Sequence, residues 1–239
     1  MKHIFRRLLF RQHGKGAIPV PLVKAPRVIE RLNSYSMCGR EVLEKHYLLG
    51  TDIVRRNIPG DFVECGVCNG GSAAAFCCAL RDTGRRAWLY DSFQGMPLTT
   101  EEDGSAAASY IGACVGAEDQ VKEAVRIVGF PQDNIIIRKG WFQDTFLSPL
   151  PKTIALLHLD CDWYESVLLS LRTFYDLVSP GGIILLDDFG HWEGCREAFY
   201  DYAQERKLKP LLERFSYAQA FWVKERTHNR EFKGKWEIP

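Results

Sequence analysis

The spacing of apolar positions changes several times along the chain, and each change marks a structural element. Between residues 27 and 57, Ile29, Leu32, Val42, Leu43, Tyr47, Leu48, Ile53 and Val54 recur at helical spacing, and the pattern stops at Pro59-Gly60. Two helices are predicted there, after a proline-rich linker at 17–26. Short apolar runs then alternate with amphipathic stretches. Strands are expected at 61–67, 87–91, 135–138, 154–159 and 183–186, and helices at 72–83, 118–128 and 165–177. A helix from 193 to about 207 and a hairpin from segments 209–215 and 219–224 would close the sheet.

The runs Ile154-Ala-Leu-Leu-His-Leu159 and Ile183-Ile-Leu-Leu186 are nearly unbroken, as expected of parallel strands covered on both faces. Alternation of such strands with helices predicts a doubly wound α/β sheet. At 239 residues and 46% hydrophobic content the chain can bury one large core, with residues 1–57 as a helical extension or lid and 58–239 as the main domain. No internal repeat or low-complexity segment interrupts this pattern.

A formal charge of +1 creates no field that would recruit nucleic acid, so small molecules are the expected partners. Eight cysteines are spread through apolar runs without a disulfide-like framework, which suggests reduced, buried thiols in a cytoplasmic protein. Cys65-x-x-Cys68 is half of a zinc or redox motif and lacks a suitably spaced second pair. Residues 1–11 place Lys2, Arg6, Arg7 and Arg11 among Ile4, Phe5, Leu8, Leu9 and Phe10. This basic amphipathic pattern suits a docked helix, an active-site cover or a peripheral membrane contact, and is too short to span a bilayer.

Candidate chemistry sits at strand ends. The first strand runs into Glu64-Cys-Gly66-Val-Cys-Asn-Gly70-Gly71-Ser72, where glycines allow a sharp turn and close ligand approach, and helix N-terminal amides favour an anionic group. The G-x-x-x-G-G spacing departs from the dinucleotide fingerprint and suits the carboxylate end of S-adenosylmethionine better. Asp91 ends the second strand, 25 residues after Gly66, where an acidic side chain commonly takes ribose hydroxyls. Asp160 and Asp162 follow the fourth strand, and Asp187 and Asp188 the next, after a turn at 179–182. Carboxylates gathered at one sheet edge repel one another unless a cation neutralises them. All-oxygen ligation favours Mg²⁺ or Mn²⁺ over Zn²⁺, although His158 and His191 are near in sequence. The alternative is structural, with Asp162 and Asp188 capping the following helices and Asp160 and Asp187 binding loop amides.

Five blocks, in order, resemble the macrocin O-methyltransferase family of sugar methyltransferases: Pro59-Gly-Asp-Phe-Val-Glu-Cys-Gly-Val67 with Gly70-Gly71-Ser72, Asp91-Ser-Phe-Gln-Gly-Met-Pro97, Gly140-Trp-Phe-Gln-Asp-Thr145, Leu159-Asp-Cys-Asp-Trp-Tyr-Glu-Ser166 and Gly181-Gly-Ile-Ile-Leu-Leu-Asp-Asp188. The resemblance implies a class I methyltransferase fold, Rossmann-like, with a mostly parallel seven-stranded sheet. It implies S-adenosylmethionine bordered by Glu64, Gly66, Gly70, Gly71 and Ser72 at the methionine end, Asp91 on the ribose, and Ser92, Phe93, Gly140, Trp141 and Phe142 around the adenine. It further implies Mg²⁺ on Asp160, Asp187 and Asp188, with Asp160 also beside the cofactor and Asp162 as general base. The chain departs from the family at Cys68-Asn69, where larger or basic residues are usual, and at Cys161, where glycine is frequent. The acceptor implied is a sugar hydroxyl on a glycosylated natural product or polysaccharide, under a mobile lid at 98–116. Trp141, Trp163, Tyr164, Phe189 and Trp192 flank the expected pocket as sugar-stacking or core aromatics.

Three alternatives remain at this level. A phenolic acceptor would use the same cofactor and metal; a nicotinamide oxidoreductase would leave the carboxylates without a purpose. A catalytically silent nucleotide-binding scaffold would not need all four. The long N-terminal helices also suit a homodimer.

Overall fold

The computed structural model describes residues 24–226, so the expectations for residues 1–23 and for the tail lie outside the described residues. Seven strands form one sheet: β1 (Asp61–Cys65), β2 (Ala87–Asp91), β3 (Ile135–Lys139), β4 (Ile154–Leu159), β5 (Val178–Leu186), β6 (Glu213–Arg214) and β7 (Ala220–Val223). Their order is β3-β2-β1-β4-β5-β7-β6. The first five pair in parallel, and β7 runs antiparallel to both neighbours. The strand order reverses between β1 and β4, and ligands of such sheets bind at the carboxyl ends beside that switch point.

Helices α1 (Arg40–Arg55), α2 (Gly71–Leu80) and α3 (Glu118–Ile127) pack on one face, where Leu43, Ile53, Phe76 and Val125 meet Phe62 and Leu156 from the sheet. On the other face lie α5 (Tyr164–Phe174) and α6 (Glu193–Glu205), whose Val167, Leu171, Ala198 and Phe199 join Val63, Leu157 and Ile184. A single turn, α4 (Phe142–Thr145), follows β3. The near-continuous apolar strands are buried on both faces, as their composition requires.

Two local expectations are corrected. The first N-terminal helix, Arg27–Tyr35, is a 3₁₀ helix. Ile29 and Leu32 are buried and Tyr35 packs beside them, a spacing of three that matches a helix of three residues per turn. The turn expected at 179–182 belongs to β5 itself. The register jumps from Ile154↔Val178 to Leu156↔Ile183, so Ser179-Pro-Gly-Gly182 forms a bulge within the strand. Lys224 N–H donates to the Gly182 carbonyl at 2.8 Å, and Gly181 N–H to that of Lys224 at 3.1 Å. This antiparallel pairing supplies hydrogen bonds that local turn propensity does not anticipate.

Candidate active site

The carboxyl ends of β1, β2, β4 and β5 open onto a cavity of about 660 Å³. Gly66 makes the turn out of β1 at φ +86°, and a Cβ there would lie 1.8 Å from the Asp160 carbonyl oxygen. Only glycine lets the loops after β1 and β4 approach so closely. Gly70 caps α2 in a left-handed conformation, and α2 starts at Gly71, one residue earlier than expected. A Cβ on Gly71 would come within 2.4 Å of Ser36 Cβ, because residues 34–39 cross over this loop.

Gly66, Gly71 and Ser72 line the cavity; Gly70 is turned against Val121, and Glu64 lies buried beneath the loop. Asp91 braces the loop: one carboxylate oxygen accepts from Val67 and Cys68 N–H, both at 2.7 Å, and the other from Phe93 N–H at 2.6 Å. Its carboxylate still borders the cavity, with Ser92, Gly140, Trp141 and Phe142. Phe93 does not reach it. That residue has φ +55° and packs toward the core, with the Lys139 ammonium 6.0 Å from its ring.

Asp160, Asp187 and Asp188 each offer an oxygen within 4.8 Å of the others. Burial, followed by the neighbouring carboxylates, pushes the proton affinity of Asp160 and Asp188 well up. Asp162 is pushed up to about 6, by burial and against a hydrogen bond with Asp188. It holds φ +58°, and Trp192 Nε1–H donates to it at 2.9 Å. Trp163 and Trp192 are the N-cap residues of α5 and α6, and neither makes a side-chain cap hydrogen bond. Instead Asp103 accepts the Tyr164 N–H at 2.7 Å, so this carboxylate rather than Asp162 serves the start of α5.

Asp187 behaves differently. Burial raises its pKa, yet the hydrogen bond and charge of His158, with the His46 imidazole close by, outweigh burial and hold it well below the usual carboxylate range. His158 bridges Glu64 at 2.8 Å and Asp187 at 3.2 Å. Burial disfavours its charge, but the two carboxylates carry it up to about 9. Glu64 is pushed up by burial against the His158 bond, and its Oε2 has no hydrogen-bond partner among the described residues. Gln219 Nε2 donates to the far oxygen of Asp187 at 2.8 Å, with the Cys38 thiol at 3.7 Å. His46, Cys38 and Gln219 carry no local sequence signal as site residues. They arrive from α1, the segment before it and the loop before β7.

An aromatic rim surrounds the carboxylates. Trp192 meets Tyr110 and His191 at ring separations of 5.1 and 4.6 Å, and Tyr217 OH lies 3.3 Å from His191 Nδ1; Trp163, expected to flank the pocket, is instead buried behind Trp192 at 5.0 Å and does not line the cavity. Of the other expected aromatics, Trp141 lines the cavity, whereas Tyr164 and Phe189 pack toward the second core. All eight cysteines are free thiols, and Cys65 and Cys68 form no closed metal set among the described residues.

The family model for macrocin O-methyltransferase matches residues 29–224. The chain belongs to that family. A Streptomyces niveus demethyldecarbamoylnovobiocin O-methyltransferase is 30% identical over 203 residues, 81% of this chain and 77% of that protein. An 8-demethyl-8-(2,3-dimethoxy-alpha-L-rhamnosyl)-tetracenomycin-C 4'-O-methyltransferase of Streptomyces olivaceus is 29% identical over 197 residues, 79% of this chain and 75% of that one. The solved structure of the O-methyltransferase NovP is similar at a TM-score of 0.72 and 28% identity, covering 79% of this chain and 81% of that chain. The fold is accordingly that of a class I methyltransferase, and this macrocin-type enzyme is an S-adenosylmethionine-dependent O-methyltransferase. No helix of the described residues is long and apolar enough to cross a membrane.

Proposed function

We propose that this macrocin-type methyltransferase transfers the methyl group of S-adenosylmethionine to a sugar hydroxyl of a glycosylated natural product or a polysaccharide, with Mg²⁺ on Asp160, Asp187 and Asp188. The observation that carries the metal is the convergence of three carboxylate oxygens, two of them, on Asp160 and Asp188, belonging to groups whose proton affinity burial and the neighbouring carboxylates push up. An oxygen-only set is the donor chemistry of a hard cation, and Mn²⁺ would fit the same set. When bound, such a cation lowers the pKa of a coordinated hydroxyl and fixes its direction. The sugar acceptor is supported by the substrates named in the relatives and by the aromatic rim, on which a sugar face can stack.

The residues then divide the work. The turn at Gly66 and the start of α2 give backbone room and free amides to the methionine carboxylate, while Asp91 takes the ribose hydroxyls. Ser92, Gly140, Trp141 and Phe142 enclose the adenine. Asp162 accepts the acceptor proton, and a pKa raised to about 6 sets it near the working range of a general base. Trp192 holds its carboxylate in place. Methyl transfer itself needs chiefly alignment of nucleophile, methyl and sulfur. Residues 34–39 and Val42, from the N-terminal extension, wall the pocket, and residues 98–116 form the lid.

Calorimetric titration with S-adenosylhomocysteine tests the cofactor, with NADH as the control. The homocysteine analogue should bind and NADH should not; the reverse result would discard this reading. Conversion of a panel of glycosides and phenols, followed by mass, tests the acceptor.

A further inference from the structure

His46 lies on α1, outside every motif of the cofactor loop and the carboxylate blocks, yet it is fully buried beside them. Its ring stacks on Phe76 at 4.7 Å and stands 5.0 Å from the ring of His158. Nε2 is 3.5 Å from Asp187 Oδ1, the oxygen that His158 also approaches at 3.2 Å. Neither ring nitrogen of His46 has a well-formed hydrogen bond, which is unusual for a buried polar side chain. The ring is thus held by packing, with its nitrogen edge against one carboxylate.

That carboxylate has little freedom. Gln219 takes Oδ2 at 2.8 Å, and the two imidazoles flank Oδ1. His158 is itself tied through Nδ1 to Glu64 at 2.8 Å. The arrangement resembles the outer layer of a metal centre, in which carboxylates and imidazoles behind a ligand fix its direction. Among the described residues, no imidazole or amide side chain hydrogen-bonds the carboxylate of Asp160 or Asp188 in this way.

We propose that His46 is a positioning residue that orients Asp187 toward the metal, so that α1 is part of the metal centre. This inference rests on the Mg²⁺ reading above. It assigns to the N-terminal helix a task that neither the sequence blocks nor the cofactor loop requires.

The test uses full-length protein and Mn²⁺ as the probe, with free Mn²⁺ followed by electron paramagnetic resonance. S-adenosylhomocysteine binding is measured in parallel by calorimetry. His46→Phe keeps the stacking surface on Phe76 and removes both nitrogens. It should weaken Mn²⁺ binding by about 10–100-fold, the usual cost of losing such a partner, while homocysteine binding stays within about twofold. His46→Gln, which keeps a donor near the position of Nε2, should recover much of the loss. In an Asp187→Asn background, His46→Phe should cost nothing further, because His46 acts through Asp187. Wild-type Mn²⁺ affinity in His46→Phe would overturn the proposal, as would an additive loss in the double variant. If His46→Phe does not fold, wild-type affinity in His46→Ala would overturn it equally. Failure of the wild-type protein itself to bind Mn²⁺ would reject the metal reading, and this inference with it.

Discussion

Asp103 provides a sharp test of how the segment over the pocket is held. It is 2% exposed, although it belongs to a stretch that is otherwise polar and near the surface. One oxygen accepts the Tyr164 N–H at 2.7 Å, at the open end of α5; the other accepts from Thr100 N–H at 2.8 Å and Thr100 Oγ1 at 3.2 Å. The carboxylate therefore ties residues 98–116 to the helix that begins two residues after Asp162. Asp103→Ala would leave two backbone donors without partners at partly buried positions. Each such loss costs about 1–3 kcal/mol, and loss of a helix cap falls in the same range, so a total of roughly 2–6 kcal/mol is expected. For a chain of this size that lowers Tm by about 4–24 °C. Asp103→Asn keeps one acceptor oxygen and should lose about half as much. Differential scanning calorimetry gives the stability, and limited proteolysis shows whether cleavage moves into 98–116. S-adenosylhomocysteine affinity should hardly change, because the cofactor loop is elsewhere, while KM for the acceptor rises. An Asp103→Ala protein with wild-type Tm and an unchanged cleavage pattern would refute the reasoning.

Other outcomes follow from the site. Asp162→Asn should lower kcat by about 10²–10⁴-fold with little effect on S-adenosylhomocysteine binding, as measured by steady-state kinetics and calorimetry. Asp91→Ala should weaken cofactor binding by about 10–100-fold, since it removes the proposed partner of the ribose and frees the Val67 and Cys68 amides; calorimetry again reads it. Chelation should abolish turnover, and Mg²⁺ should restore it in the wild type and leave Asp160→Ala inactive. Full activity in chelator would remove the metal from the mechanism. Adding Mg²⁺ at about 100 times its Kd should stabilise the protein by roughly 2.7 kcal/mol, readable as a rise in Tm.

Sequence pattern alone revealed the sheet because β1, β4 and β5 are buried on both faces, so their apolar runs are nearly unbroken. The carboxylates were equally visible, since strand ends in such a sheet come together whatever lies between them in the chain. What pattern missed depends on contacts between distant segments. Ser179-Pro-Gly-Gly182 has the residues of a turn, yet pairing with Lys224 draws it into β5. The 3₁₀ character of Arg27–Tyr35 follows from packing at a spacing of three, which resembles an α-helical stripe over so short a stretch. His46 and Gln219 lie 141 and 32 residues from Asp187, and only the folded chain joins them to it.

The outer wall of the pocket comes from stretches that the sheet does not need for its own integrity: residues 34–39, the segment around Tyr110, and the loop carrying Tyr217. The carboxylates proposed to hold the metal stand on strand ends that the core holds in register. Acceptor choice can therefore drift by exchange of surface segments between related genes, leaving the methyl-transfer apparatus untouched. The 34–39 stretch is the exception, because it runs into the helix bearing His46 and inherits a constraint that the other two segments escape.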